Sequence, residues 1–135
     1  METADRVAAA GEIAPDEAQV GRQVGELMAR QDWAGARKAL HRLPPQVLAT
    51  PEMMFVDAFL ARRTGRLREA IDIYQRMLDG DASLARVRLE LADSFFELGD
   101  DRAADHNYRL ALSGDAPDQV REGVSQRLRA IAERR

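Results

Sequence analysis

Apolar positions recur every three or four residues along most of this chain, the spacing that places them on one face of an α-helix. Read with the usual helix start and stop signals, this pattern predicts helices over about 16–30, 33–43, 51–64, 67–79, 83–98 and 101–113. Thr50-Pro51-Glu52 supplies an N-cap, a proline at the first helical position and an acid in the first turn, and Thr64-Gly65 closes the same helix. Pro44-Pro45 and Asp79-Gly80-Asp81 read as breaks. A seventh helix, about 117–133, is predicted to start at Asp115, Pro117 and Asp118 and to end in Arg134-Arg135, with Val120, Val124, Leu128 and Ile131 along one face. Residues 1–15 are polar, alanine-rich and interrupted by Gly11 and Pro15, so a flexible tail is expected there and one helical domain over 16–135.

The helices repeat. The interval from Gln31 to Gly65 equals that from Gly65 to Gly99, and each of the three stands where a first helix should end. Ala36, Ala70 and Ala104 follow in the same register, and four residues after each comes Leu40, Tyr74 or Tyr108. Val24, Ala58 and Ala92 align before the turn, as do Leu27, Ala61 and Phe95. A small residue early in a second helix lets two helices approach, and the large residue one turn later fills the space beside that contact. This register resembles the tetratricopeptide repeat, a helix–turn–helix of about 34 residues. The tryptophan usual at the start of the first helix is replaced by Val20, Met54 and Arg88; the closing proline is replaced by Leu48 and Ala82, and Pro117 falls one position late. The fold expected is all-α, a tetratricopeptide-type solenoid of about three helix pairs with a C-terminal capping helix.

Composition narrows the function more than it alters the fold. Aromatics are only 5% of residues, and the formal charge of −3 lacks the clustered basic excess of nucleic-acid or membrane-surface binders. Cysteine is absent, which excludes disulfides, thiolate metal sites and cysteine nucleophiles. No apolar run reaches the roughly 18 residues of a membrane span, so no insertion of this segment is expected. His41 and His106 fall at different repeat positions and in no metal-binding spacing, and phosphate-loop and nucleophile-elbow motifs are missing. The expectation is a non-enzymatic module with no cofactor and no metal.

The helix at 51–64 is apolar nearly all round, through Met53, Met54, Phe55, Val56, Ala58, Phe59, Leu60 and Ala61, whereas an amphipathic helix needs one stripe. It is either buried between neighbouring repeats or shows part of its apolar surface on the concave side, where such repeats hold extended or helical peptides. Carrying the register forward puts Phe55, Phe59 and Arg62 on that side, with Leu89, Asp93 and Phe96 in the next repeat. Phe55, Phe59, Leu89 and Phe96 would make an apolar floor rimmed by Arg62, Arg63 and Arg86. The positions that would clamp a C-terminal carboxylate are instead Gly21, Gly25, Phe55 and Phe59, so that mode is not expected. Arg62-Arg63 and the group Arg127, Arg129, Arg134 and Arg135 read as solvated helix surface.

Residues 43–112, through the stretches ARRTGRLREAIDIYQRML and LARVRLELADSFFELGDDRAADHNYRLAL, resemble the N-terminal periplasmic domain of the surface lipoprotein assembly modifier family. In that family a helical repeat domain precedes an outer-membrane β-barrel. The resemblance implies an isolated periplasmic domain that engages a lipoprotein or a secreted scavenging protein beside a covalently linked barrel. It supplies no catalytic or binding residue of its own. The alternative is a free-standing tetratricopeptide adaptor, cytoplasmic or periplasmic, that scaffolds an unrelated complex.

Overall fold

A computed structural model describes residues 16–113 and 116–134. Among these residues there are eight helices and no strand: α1 (Glu17–Ala29), α2 (Trp33–Leu40), α3 (Pro45–Leu48), α4 (Pro51–Arg63), α5 (Leu67–Gly80), α6 (Ala85–Leu98), α7 (Asp101–Leu112) and α8 (Asp118–Glu133). The expected tail at 1–15, and Asp115 and Arg135 at the ends of the last helix, lie outside the described residues. The chain divides into two compact units, Met1–Met53 and Met54–Arg135.

The repeat is visible in the backbone before any packing is considered. Gln31, Gly65 and Gly99 all adopt positive φ, at 61°, 81° and 92°. At each of them the helix ends in the same pair of bonds. Asp32 N–H donates to Leu27 and Gln31 N–H to Met28; Arg66 pairs with Ala61 and Gly65 with Arg62; Asp100 pairs with Phe95 and Gly99 with Phe96. The first bond of each pair closes six-to-one and the second spans three residues, and together they satisfy carbonyls that a helix end would leave orphaned. Gly65 and Gly99 reach the left-handed region without a Cβ clash, whereas Gln31 is strained there. Gln31→Gly should therefore stabilise the first unit by about 0.5–1 kcal/mol, and Gly99→Ala should destabilise the second by about 1 kcal/mol. Since a Cβ at Gly99 would meet nothing within 4 Å, the second cost is conformational alone. Urea melts of both variants check the pair, and a destabilising Gln31→Gly would contradict the strain assigned to it.

Second helices start under the same kind of local control. Asp32 and Asp100 accept from the backbone N–H of Gly35 and Ala103 at 2.9 and 3.1 Å, capping α2 and α7. Arg66 occupies the equivalent position before α5 and makes no such bond.

Two boundaries differ from the sequence expectation. Pro44-Pro45 does not simply break the chain: Pro45 stands at the first position of α3, where its missing N–H costs nothing. The Thr50 hydroxyl donates back to the Val47 carbonyl at 2.7 Å and so closes α3. α6 begins at Ala85 because Asp81 accepts from both Ser83 N–H and Ser83 Oγ, at 3.0 and 2.6 Å, and holds residue 83 in a turn. Those two bonds also hold the Asp81 carboxyl below its usual range.

In the first unit Val20 and Val24 of α1 and Ala36, Ala39 and Leu40 of α2 are buried, with Leu43 beyond them. In the second unit one core forms from Ala58 and Ala61 of α4, Ala70, Ile71, Tyr74 and Met77 of α5, and Val87 and Leu91 of α6. Another joins Ala92 of α6 and Ala104, Tyr108 and Ala111 of α7 to Val120, Val124 and Ile131 of α8. The alanines at 36, 70 and 104, which share one repeat position, are fully buried, as the close-approach reading requires, and so are Tyr74 and Tyr108. α8 covers the last helix pair with the apolar face expected of a cap.

Candidate functional site

The face shared by α4, α6 and α8 of the second unit carries a group of charged side chains. Glu90, Asp93 and Glu97 stand three and four residues apart, so they line one side of α6. Arg62 of α4 reaches all three. Its Nη1 donates to Glu90 at 2.7 Å, its Nε and Nη2 to Glu97 at 2.9 and 2.6 Å, and its Nη2 lies 3.9 Å from Asp93. Arg86 adds a 3.2 Å contact to Glu90 from the preceding turn of α6. Arg127 of α8 pairs through Nε with Asp93 at 2.5 Å. From beneath, the buried hydroxyl of Tyr108 on α7 donates to the same Asp93 carboxylate.

Burial sets the proton affinities of this group. Burial works against the Arg62 charge, but the hydrogen bond and charge of Glu97, then the charges of Glu90 and Asp93, outweigh it and raise the pKa. Burial pushes the Asp93 carboxyl up, partly offset by the Tyr108 hydrogen bond and by Arg127 and Arg62. Tyr108 is pushed above the usual tyrosine range by burial and by its bond to Asp93.

Each residue assigned to the groove from sequence has a defined place. Phe55 is half-buried and packs edge-on against Tyr74, with ring centroids 6.0 Å apart. Phe59 is half-buried with the Arg63 guanidinium 5.2 Å over its ring. Leu89 and Phe96 pack onto the α6–α7–α8 core, and Arg134 stacks 4.1 Å above Phe96 while pairing with Asp101. Asp93 is buried, and Arg62 lies inside the ion-pair group and not at a rim. Arg62, Arg127 and Arg134, read from sequence as solvated surface, are all engaged by acids, because neighbouring helices bring those acids alongside. Arg63 and Arg86 are exposed.

Sequence reasoning missed Glu90, Glu97, Tyr108 and Arg127 as members of this group. One signal was available. The register positions that hold Asp93 and Tyr108 hold Phe59 and Tyr74 one repeat earlier. The register position of the aspartate that accepts the Tyr108 hydroxyl is thus a phenylalanine in the repeat of Tyr74, and the Tyr74 hydroxyl is buried with no hydrogen-bond partner. Burial, then the nearby Glu90 charge, pushes it above the usual tyrosine range. An unpaired buried hydroxyl costs about 1–3 kcal/mol. Tyr74→Phe should therefore be neutral or stabilising, and Tyr108→Phe should cost about 1–2 kcal/mol because Asp93 loses a donor. Thermal melts of the two variants decide it, and an equal loss at both sites would refute the distinction.

Among the described residues, no group of three histidine, aspartate or glutamate side chains is placed to hold a metal ion, and no helix is long and apolar enough to cross a membrane.

No family model and no curated protein matches the chain. A solved structure does: the type III secretion chaperone SycD of Yersinia enterocolitica, in complex with a peptide of the translocator YopD, superposes with a TM-score of 0.73 at 21% identity, over 91% of this chain and 98% of that chain. The likeness is one of fold, and it agrees with the repeat register in identifying an all-α protein of tetratricopeptide-type helix pairs closed by a capping helix.

Proposed function

We propose that this chain is a tetratricopeptide-type adaptor that binds a segment of a partner protein, and that the face formed by α4, α6 and α8 is its concave binding surface. The observation that carries this reading is the row of half-buried apolar side chains Phe55, Phe59, Leu89 and Phe96 on the two first helices of the second unit. The SycD structure supports it, since a protein of the same fold is there in complex with a peptide. The same comparison favours the free-standing adaptor over the periplasmic domain of an outer-membrane translocator, a reading that rests on the sequence resemblance of residues 43–112 alone.

Phe59 is the most direct test, because it is half-buried on α4 with the Arg63 guanidinium over its ring, while Phe55 supports Tyr74. The probe is a fluorescein-labelled ten-residue peptide with leucine at alternate positions. Phe59→Ser should weaken its binding about tenfold or more with little change in melting temperature, as loss of an interface anchor does. Phe55→Ser should lower both. If Phe59→Ser reduces the melting temperature and leaves affinity intact in the folded fraction, the α4–α6–α8 face is core and the proposal fails.

A further inference from the structure

The two most buried members of the ion-pair group are acids, and its most exposed member is an arginine. The side chains of Glu90 and Asp93 are only 9% and 7% exposed, whereas Arg86 and Arg127, which they hold, are 69% and 38% exposed. Arg62, 21% exposed, binds both carboxylates from the α4 side and Glu97 as well. The acids are therefore consumed within the protein, and guanidinium edges face outward. Arg86 gives only its Nε to Glu90, and Arg127 gives Nε to Asp93 and Nη1 to the Gly123 carbonyl, so each keeps unspent N–H donors. Exposed Arg63 stands on the neighbouring α4, and the half-exposed Glu97 is already tied to Arg62. Three arginines balance three acids in this group, and the N–H donors it leaves on the outside are those of Arg86 and Arg127.

We infer that the partner segment is acidic: an extended stretch with two carboxylate side chains about two residues apart, one read by Arg86 and the other by Arg127, beside the apolar anchor taken by the phenylalanines. This rests on the adaptor reading and names the chemistry of its partner. The spacing follows from the helix. Glu90 and Asp93 are three residues apart, a rise of about 4.5 Å along α6. Same-side residues of an extended peptide lie about 7 Å apart. The buried acids also aim each guanidinium before any ligand arrives, so little side-chain freedom is lost on binding, and a guanidinium fork matches a carboxylate in two-point contact.

The test uses the full chain and three versions of one ten-residue leucine-containing peptide, with Glu, Gln or Lys at two positions two residues apart, measured by fluorescence anisotropy at low and moderate salt. The glutamate peptide should bind at least tenfold tighter than the glutamine peptide, and the gap should narrow as salt rises. Arg86→Gln should erase about fivefold of that advantage while leaving the glutamine peptide unaffected. Glu90 keeps Arg62 in this variant, so folding is preserved, and a melting curve confirms it. Arg109→Gln, an exposed arginine of α7, is the control and should change nothing. Equal binding of the Glu and Gln peptides, or an unaltered preference in Arg86→Gln, overturns the inference and leaves the adaptor reading standing. Binding of none of the three overturns both. Tighter binding of a twelve-nucleotide oligothymidylate than of any peptide would assign these arginines to nucleic acid and also overturn it.

Discussion

Asp93→Ala should destabilise the second unit by about 2–4 kcal/mol, because it strips the partner from two groups at once. The buried Tyr108 hydroxyl loses its acceptor, and Arg127 loses its carboxylate on a face it shares with Arg62. Asp93→Asn should cost far less, within about 1 kcal/mol, since the amide oxygen still accepts from Tyr108 and a neutral side chain avoids the cost of burying a charge. That contrast also has a pH signature. Burial raises the Asp93 pKa above the ordinary aspartate value of 3.8, so the folded state holds this proton more tightly than the unfolded chain does. The stability it contributes is present below about pH 3.8 and is lost as pH rises through the folded pKa. Urea melts of wild type and Asp93→Asn across that range should show the wild-type advantage shrinking as pH increases. A wild-type advantage that grows instead would mean that Arg127 and Arg62 outweigh burial, and equal losses for Ala and Asn would mean that the Tyr108 hydrogen bond contributes little.

Ala70→Leu should cost about 1–3 kcal/mol. Ala70 is fully buried where α5 meets α4, among Ala58, Ala61 and Tyr74, and a core at native density yields only by forcing side chains off their rotamers. Thermal unfolding measures the loss. Tolerance within a few tenths of a kcal/mol would show that α4 and α5 are not in close approach at this alanine.

The helix pairs are legible in the chain read as a string of residues, because everything that specifies them acts within a turn or two. The positive φ shared by Gln31, Gly65 and Gly99, the aspartate caps before α2 and α7, and the buried alanines at 36, 70 and 104 are short-range features that recur at one constant interval. The apolar face of α8 was legible for the same reason. Where the local reading failed, at α3, it failed on turn chemistry: proline at a first helical position starts a helix as readily as proline inside one ends it. The candidate site, by contrast, exists only through packing between helices. Arg62 meets Glu90 and Glu97 across 28 and 35 residues, and Arg134 meets Asp101 across 33, separations at which no helical spacing links one charge to another. An arginine on a helix looks solvated in sequence whether it faces water or an acid on the next helix. Which of these it faces depends on how two cores of alanine, tyrosine and aliphatic side chains seat α4 and α8 against α6, and that packing set buried carboxylates to hold Arg62, Arg86 and Arg127.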